Sequence, residues 1–490
     1  MATPSCWRCL LLRPSTALAA PARVAAAVAA KPPGLAPTTK ATSAPFSTSA
    51  PLNAAGDRAG NPNHSIKKAQ TFRMKKKAVK PPAKSPLPGE RKAFRKRIQL
   101  SNNNALPVEG LEPLNGRGLT EDASVATIRA LPDDLVDQLR AVEAFKPTQN
   151  WGLFRAPHVL VRAETVELCR SMQQAAENKE TLRLVINGDK ISGKSTLLLQ
   201  ALSKAFLDDW VVFHIPEAQE LTTACTEYAP IPGTQPTQYM QHVYAFKMLR
   251  RLLKTSEKVL RKITMLRKHD DVSTDLVTHS SSLADLVSSA READQAWPVL
   301  RALWAELLTP APDRRPILFS LDGLGHIMRT SDYRSPAFEL IHSHDLSLIR
   351  RFIDALSGGA TAAPDQPPPP PFPAGGAVLA ATTLGNSPKS FSMELALARL
   401  EAAKRGEAPP AKDPYSRAYD ERVEAALADV GLLRLGALTR TEARVAMEYW
   451  AASGLLRAAV DEKKVVDVLS VSGGGIIGEV ERALLLSMRI

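Results

Sequence analysis

The sequence predicts an α/β fold in which helices flank a parallel sheet, and three features predict it. Short apolar runs alternate with amphipathic helical segments from about residue 120 onwards. Such alternation is typical of strand–helix–strand units, whose consecutive strands lie parallel. A glycine-rich loop also joins the first of these strands to the helix after it, and 490 residues suffice for about two to three domains.

Five apolar runs are predicted as the strands of this sheet. They cover residues 181–187, 210–215, 316–321, 377–382 and 432–438. Helices are predicted at 131–142, 163–176, 194–207, 242–266, 290–308, 336–356 and 440–453. The final segment, 391–490, is expected to form a small α-rich region that closes the chain.

The composition excludes several classes of protein and locates the charge. Four cysteines in 490 residues are too few for a disulfide-stapled fold. No apolar run reaches about 18 residues, so we expect no membrane-spanning helix. The formal net charge is +13, but residues 1–66 carry +5, residues 67–97 carry +12, and residues 98–490, with 44 basic and 48 acidic side chains, carry −4. The positive charge therefore belongs to the N-terminal segments and not to the fold.

Residues 1–50 are predicted to be a mitochondrial transit peptide. No acidic residue occurs before Asp57, and Arg8, Arg13 and Arg23 interrupt the apolar runs that a secretory signal would keep intact. A segment that carries arginines and lacks acids is typical of mitochondrial import. A plastid address and an Ala/Pro-rich disordered tail are the alternatives.

Residues 51–119 are predicted to be a basic, disordered or extended arm that contacts RNA. Thirteen basic side chains fall within residues 67–97, where prolines prevent a continuous helix and apolar residues are few. Cations at this density bind phosphates with little sequence preference. A solvated tail without a partner is the alternative. The residues expected to contact RNA are Lys75, Lys76, Lys77, Arg91, Lys92, Arg95, Lys96 and Arg97.

The glycine-rich loop runs from Gly188 to Ser195 and matches the phosphate-binding motif G-x-x-x-x-G-K-[ST]. A predicted strand leads into it and a predicted helix leads out of it, as the motif requires. Backbone amides and the helix N-terminus attract phosphate oxygens, Lys194 would reach the outer phosphates, and the Ser195 hydroxyl would hold Mg²⁺. The residues predicted to bind nucleotide are Gly188, Asp189, Lys190, Ser192, Gly193, Lys194, Ser195 and Thr196.

A P-loop site also needs a carboxylate at the end of another strand, on the metal side. Asp322 fits this role because it follows the apolar run 316–321; a turn-forming aspartate is the alternative. Gly323 comes next, where hydrolytic proteins of this layout carry an acid, so no catalytic residue is predicted. Thr382 or Thr383 is a weaker candidate for a γ-phosphate sensor. No Asn-Lys-x-Asp element follows the loop, so these residues leave the base undecided.

These features divide the rest of the chain into two parts. A P-loop nucleotide-binding domain is predicted at 120–390, interrupted by a proline-rich insert at 358–376, and a C-terminal subdomain at 391–490. A second glycine motif, from Gly473 to Gly478, satisfies G-x-G-x-x-G but has too little chain after it for a dinucleotide-binding unit. We interpret it as a tight turn before the last helix.

Four segments together resemble the death-associated protein 3 family, the GTP-binding proteins of the mitochondrial small ribosomal subunit. They read GDKISGKSTLLLQAL at the P-loop, DDWVVFHIPEAQEL from Asp208 onwards, PILFSLDGL around Asp322, and AVLAATT from Ala377. The tryptophan-containing strand is the most specific of the four, because P-loop proteins in general do not require it.

The resemblance implies a P-loop NTPase fold of the AAA/STAND-like type. It also implies bound GTP or GDP with Mg²⁺ in a largely structural role, with the P-loop roles falling on Gly188, Gly193, Lys194 and Ser195 and the metal-side role on Asp322. It further implies a place in the mitochondrial matrix, on the mitoribosome, beside small-subunit rRNA and neighbouring mitoribosomal proteins.

Two other functions compete with that of a structural ribosomal protein. An active mitochondrial NTPase would need an acid after Asp322 and an arginine from a neighbouring molecule, and Gly323 stands where the acid is expected. A ribosome assembly factor with a vestigial P-loop would bind RNA without retaining nucleotide.

Overall fold

The computed structural model describes residues 98–269, 272, 281–359, 372–416 and 418–486. The predicted transit peptide, the eight cationic residues of the arm and the proline run 367–371 lie outside the described residues. All described residues fall within one compact unit, Lys84–Ile490. Among them, no helix combines the length and the apolar character needed to cross a bilayer.

A five-stranded parallel sheet forms the centre of this unit, which confirms the predicted α/β class. In chain order its strands are β1 (Thr181–Gly188), β2 (Val211–Ile215), β3 (Ile317–Asp322), β4 (Gly376–Ala381) and β5 (Gly431–Leu435). They lie in the order β5-β1-β4-β3-β2, so β4 separates β1 from β3. Every residue of β2, β3 and β4 is buried, which explains why these strands read as mainly apolar runs and not as alternating patterns.

Helices cover both faces of the sheet, and each face has its own core. Phe213 and Phe319 point into one core, while Val212 and Leu318 point into the other, because successive strand residues face opposite sides. The core of Val212 includes residues of helices Asp133–Ala141, Ala163–Glu177 and Lys194–Leu207. The core of Phe213 includes residues of Ala218–Thr222, His242–Leu260, Leu283–Ser288, Ala293–Leu307, Ser347–Ser357, Phe391–Arg405 and Glu421–Ala426.

The C-terminal helices build a third core against an antiparallel hairpin. The hairpin pairs Thr127–Ala130 with His158–Val161, and Ile128 and Leu160 pack against the helices. These helices are Arg440–Ala452, Glu462–Val471 and Ile477–Glu481. Before them, β5 pairs in parallel with β1, so the sheet extends across the boundary predicted at residue 390.

Residues 98–119 correct the predicted extent of the arm. Leu100, Leu114 and Leu119 are buried in the same core as Val212. The Leu114 amide also donates a hydrogen bond to the Ala130 carbonyl at 2.8 Å. Burial of these apolar side chains removes them from water, which favours packing over an extended chain.

The helix predicted at 336–356 begins only at Ser347. Before it, Thr330–Arg334 and Leu340–His342 form an antiparallel hairpin, and the first of these strands alternates exposed and buried residues. Strands of five and three residues carry little local signal, which explains why a helix was predicted too early in the chain. A further small hairpin pairs Ala229–Pro230 with Tyr239–Met240.

The last residues of the predicted proline-rich insert pack into the core. Phe372 is 3% exposed, and its ring centroid lies 6.1 Å from that of Trp304. Its amide donates a hydrogen bond to the Thr181 hydroxyl at 3.0 Å. The segment predicted as an insert therefore contributes to the core at this end, because a large aromatic side chain finds apolar partners there.

Candidate functional site

The glycine-rich loop Gly188–Ser195, which we call the P-loop after its sequence motif, lies at the carboxyl edge of the sheet. It joins β1 to the helix Lys194–Leu207. Gly193 precedes the helix with a φ of +97°, a left-handed conformation that favours glycine. A Cβ atom on Gly188 would lie 2.6 Å from the Leu435 carbonyl oxygen, so β5 leaves no room for a side chain there. Both glycines of the motif are therefore required by the local geometry.

A cavity of ≈ 920 Å³ opens above this edge and gathers most of the predicted site residues. Gly188 and Asp189 of the predicted set do not line it. The predicted residues on its wall are Lys190, Ser192, Gly193, Lys194, Ser195, Thr196, Asp322, Thr382 and Thr383. The volume is in the range of sites for small molecules and cofactors.

The Lys194 ammonium folds back onto the loop that precedes it. It donates hydrogen bonds to the carbonyl oxygens of Gly188 and Asp189 at 2.8 and 2.6 Å. Burial lowers the pKa of Lys194 to about 8, although the negative charges of Asp189 and Asp322 act in the opposite direction. The ammonium is thus held inside the site, where it remains mostly charged at neutral pH.

The Asp322 carboxylate ends β3 and forms an ion pair that the sequence did not indicate. Its Oδ2 atom lies 3.2 Å from the Lys146 ammonium, which also donates a hydrogen bond to the Pro216 carbonyl oxygen. Its Oδ1 atom is buried and has no hydrogen-bond partner among the described residues. An orphaned carboxylate oxygen and the Ser195 hydroxyl on the same cavity wall are the oxygen ligands that Mg²⁺ prefers.

Thr382 lies between the P-loop strand and Asp322, because β4 is inserted between β1 and β3. Ala381, the residue before it, is in register with both Asp322 and Ile186. The Thr382 hydroxyl is within 3.0 Å of the Asn187 Oδ1 atom and 3.3 Å of the Ile186 carbonyl oxygen, and it can donate its proton to one of them. In this arrangement Thr382 faces the end of β1.

The second glycine motif forms the turn predicted for it, and Ile477 and Gly478 after it line the cavity. Gly473, Gly474 and Gly475 have φ values of +64°, +82° and +106° and lead into the helix Ile477–Glu481. The Gly478 amide donates a hydrogen bond to the Ile191 carbonyl oxygen in the P-loop at 3.1 Å. The motif therefore positions a helix directly against the P-loop.

The loop between the helix Asp133–Ala141 and the second hairpin strand, His158–Val161, adds polar residues that sequence reasoning missed. The Gln149 side-chain amide donates to the Thr196 hydroxyl at 3.3 Å, and the Asn150 side-chain amide donates to the Glu481 carboxylate at 2.8 Å. Burial raises the pKa of Glu481. These residues belong to no local motif, since their partners are distant in the chain.

Two comparisons relate this sequence to known proteins. Residues 159–483 match the profile of a family described as Mitochondrial ribosomal death-associated protein 3. Over 495 aligned residues, with 100% of both chains covered, the sequence is 50% identical to the small ribosomal subunit protein mS29 of Neurospora crassa. The matched family region includes all five strands of the sheet, the P-loop and Asp322.

Proposed function

This chain belongs to the mitochondrial ribosomal death-associated protein 3 family, and from that premise we propose that it is a structural protein of the small subunit of the mitochondrial ribosome. Its location is the mitochondrion, on the mitoribosome. The full-length match to a small ribosomal subunit protein supports this assignment, because the similarity extends over the whole of both chains. Its partners would be small-subunit rRNA and neighbouring mitoribosomal proteins.

The proposed ligand is GTP or GDP with Mg²⁺, held in the P-loop. The observation that carries this proposal is the buried Lys194 ammonium at the N-terminus of a helix, beside the cavity wall that also presents Asp322. Gly193 and the helix N-terminus favour phosphate oxygens, and Ser195 and Asp322 would hold the metal ion, which neutralises phosphate charge when bound. The AAA/STAND-like P-loop NTPase assignment is part of this proposal.

We propose that the bound nucleotide turns over slowly or not at all. Gly323 has no side chain with which to activate water at the position after Asp322, and the Asp322 carboxylate is already paired with Lys146. The nucleotide would then stabilise the domain, because a ligand that binds only the folded state favours that state.

An active NTPase is the second candidate, and one observation favours it. The Glu217 carboxylate lies two residues after β2 and lines the same cavity. Hydrolysis that is lost in a Glu217→Gln variant while nucleotide binding persists would support this alternative.

Extraction of nucleotide from the native protein tests the proposal. We expect stoichiometric guanine nucleotide on chromatography of the extract, and co-sedimentation of the protein with the mitochondrial small subunit on a low-salt gradient. Co-sedimentation without nucleotide would favour a vestigial P-loop, and absence of the protein from purified small subunits would contradict the ribosomal assignment.

A further inference from the structure

The hydrogen bond between Asn150 and Glu481 joins two walls of the cavity. These residues are 331 positions apart, and the Asn150 Nδ2 atom donates to Glu481 Oε1 at 2.8 Å. Asn150 precedes the short helical turn Trp151–Leu153, and Glu481 ends the helix Ile477–Glu481. Both side chains line the same cavity as the P-loop.

The Glu481 carboxylate has acceptor capacity left over. Among the described residues, its one hydrogen bond comes from Asn150, whereas a carboxylate can accept about four. The neighbouring Arg482 guanidinium pairs with Glu479 at 3.0 Å instead. Desolvation raises the pKa of Glu481, while the Asn150 hydrogen bond and the charge of Arg482 act in the opposite direction.

The helix of Glu481 is fixed directly against the P-loop. One turn before Glu481, the Gly478 amide donates to the Ile191 carbonyl oxygen at 3.1 Å, and a Cβ atom on Gly193 would lie 3.5 Å from Ile477 Cγ2. One helical turn rises about 5.4 Å. Glu481 therefore lies about one helical turn from the contact with the P-loop, on the wall of the cavity that a nucleotide bound there would enter.

The surroundings of this carboxylate suit an aromatic ring. Trp450, which is buried, and Ile477 line the cavity together with Glu481 and Asn150. A site of this kind combines apolar side chains, which contact the ring faces, with few polar groups, which read its edge.

We propose that Glu481, positioned by Asn150, selects guanine by accepting hydrogen bonds from its N1–H and 2-amino groups. This inference rests on the proposed nucleotide site. Guanine presents two adjacent donors on that edge, and a carboxylate can accept both. Adenine presents an acceptor at N1, which the carboxylate repels, so the same group that favours guanine disfavours adenine.

The test is equilibrium binding of GDP, IDP and ADP to the full chain, with and without Glu481→Gln. IDP has the guanine N1–H but lacks the 2-amino group. We expect the wild type to prefer GDP over ADP, and Glu481→Gln to weaken GDP binding on the order of 10- to 100-fold while ADP binding changes little. The loss from GDP to IDP should shrink in the variant, because its amide no longer accepts two donors.

Two further variants separate base reading from support of the fold. Glu479→Gln changes the same helix outside the cavity and should leave the GDP-to-ADP ratio unchanged. Asn150→Ala should lower that ratio without touching the helix, which keeps the test valid if Glu481→Gln fails to fold.

Two results would overturn the inference, and they differ. Equal loss of GDP and ADP binding in Glu481→Gln and Asn150→Ala would reduce the pair to a structural contact within a working nucleotide site. If the wild type bound neither GDP nor ADP, the proposed nucleotide site would be wrong, and so would the recognition of guanine by Glu481.

Discussion

Lys146 belongs to the candidate site, although no sequence motif marks it. It lies in a loop, and its ammonium meets the Asp322 carboxylate 176 positions later only because the chain folds. Both side chains are largely buried, with 13% and 6% of their surface exposed. Removing one member of a buried pair leaves the other without compensation.

We predict that Lys146→Met destabilises the nucleotide-free protein by about 3 kcal/mol, because the Asp322 carboxylate stays buried without its partner. Urea unfolding monitored by circular dichroism measures this. The double variant Lys146→Met/Asp322→Asn is the control, and it should regain most of the loss since no charge is then left unpaired. A loss below about 1 kcal/mol in the single variant would mean that water already solvates the pair.

Lys194 is the residue through which the ligand should stabilise the fold. If GDP·Mg²⁺ binds as proposed, a free concentration about 100 times Kd should stabilise the wild type by about 2.7 kcal/mol and raise its Tm. We predict that Lys194→Ala loses this rise, because the buried ammonium no longer attracts the phosphates. Lys463→Ala, an exposed lysine on the helix Glu462–Val471, should keep it. Differential scanning fluorimetry with and without GDP·Mg²⁺ measures the change in Tm. An equal rise in Tm in both variants would contradict the role of Lys194.

His214 should make the stability depend on pH. Its ring is 5% exposed and its Nδ1 atom lies 2.8 Å from the Ser320 hydroxyl. Burial lowers the pKa of His214 well below 6.5, and the positive charges of Lys146 and Arg251 lower it further. As the pH drops below about 6.5, His214 is therefore protonated in the unfolded chain but stays neutral in the folded chain. The free energy of unfolding then falls as the pH drops.

We predict that this residue costs the wild type about 1.4 kcal/mol of stability between pH 7.5 and 5.5, relative to His214→Asn. Urea unfolding of both proteins at the two pH values gives the difference. His344, another buried histidine with a lowered pKa, contributes equally to both proteins and cancels. Parallel pH profiles for the two proteins would show that folding does not lower the pKa of His214.

Elements were predictable where local sequence alone determines them. The P-loop helix spans Lys194–Leu207 as predicted, because a glycine turn begins it and an apolar stripe continues it. The prediction that a helix begins at residue 336 was wrong, because the hairpin of short strands at this place carries little local signal. The bounds of the sheet strands are close to those predicted, but the insertion of β4 between β1 and β3 is a property of pairing and not of any one strand.

The helix Ile477–Glu481 and the P-loop are coupled at Gly478. A Cβ atom there would lie 2.7 Å from Ile191 Cβ, so we predict that Gly478→Ala costs about 1–3 kcal/mol of stability and weakens GDP binding by displacing the helix. Urea unfolding and GDP titration measure the two effects. Gly385→Ala is the control for the stability measurement alone, because nothing lies within 4 Å of its added methyl group but the residue itself lines the cavity. Similar behaviour of the two variants would argue against tight packing between helix and loop.

At the scale of the whole molecule, the charge separates a basic N-terminal segment from a mildly acidic body. Residues 67–97 carry a net +12 and residues 98–490 a net −4. We predict that removing 67–97 weakens binding to small-subunit rRNA and flattens the dependence of log K on log[KCl]. The slope should change by about 0.7–0.9 for each RNA phosphate that this segment neutralises.

Filter binding over a series of KCl concentrations provides the measurement. The control removes 51–66 instead, a segment with one acid, Asp57, and one base, Arg58, and it should leave the salt dependence unchanged. An unchanged slope after removal of 67–97 would mean that the body of the protein binds the RNA.

The sequence by itself determined the α/β class, the glycine-rich loop and the acid at the end of β3. The loop is contiguous in the chain with its flanking strand and helix, and the acid is contiguous with the strand that it ends. Only the tertiary structure decided the order of the strands, the pairing of Lys146 with Asp322 and the meeting of Asn150 with Glu481. The physical reason is the distance along the chain over which each interaction acts. Local periodicity and turn chemistry act over a few residues, whereas these interactions join segments up to 331 residues apart and form only when the cores on both faces of the sheet are packed.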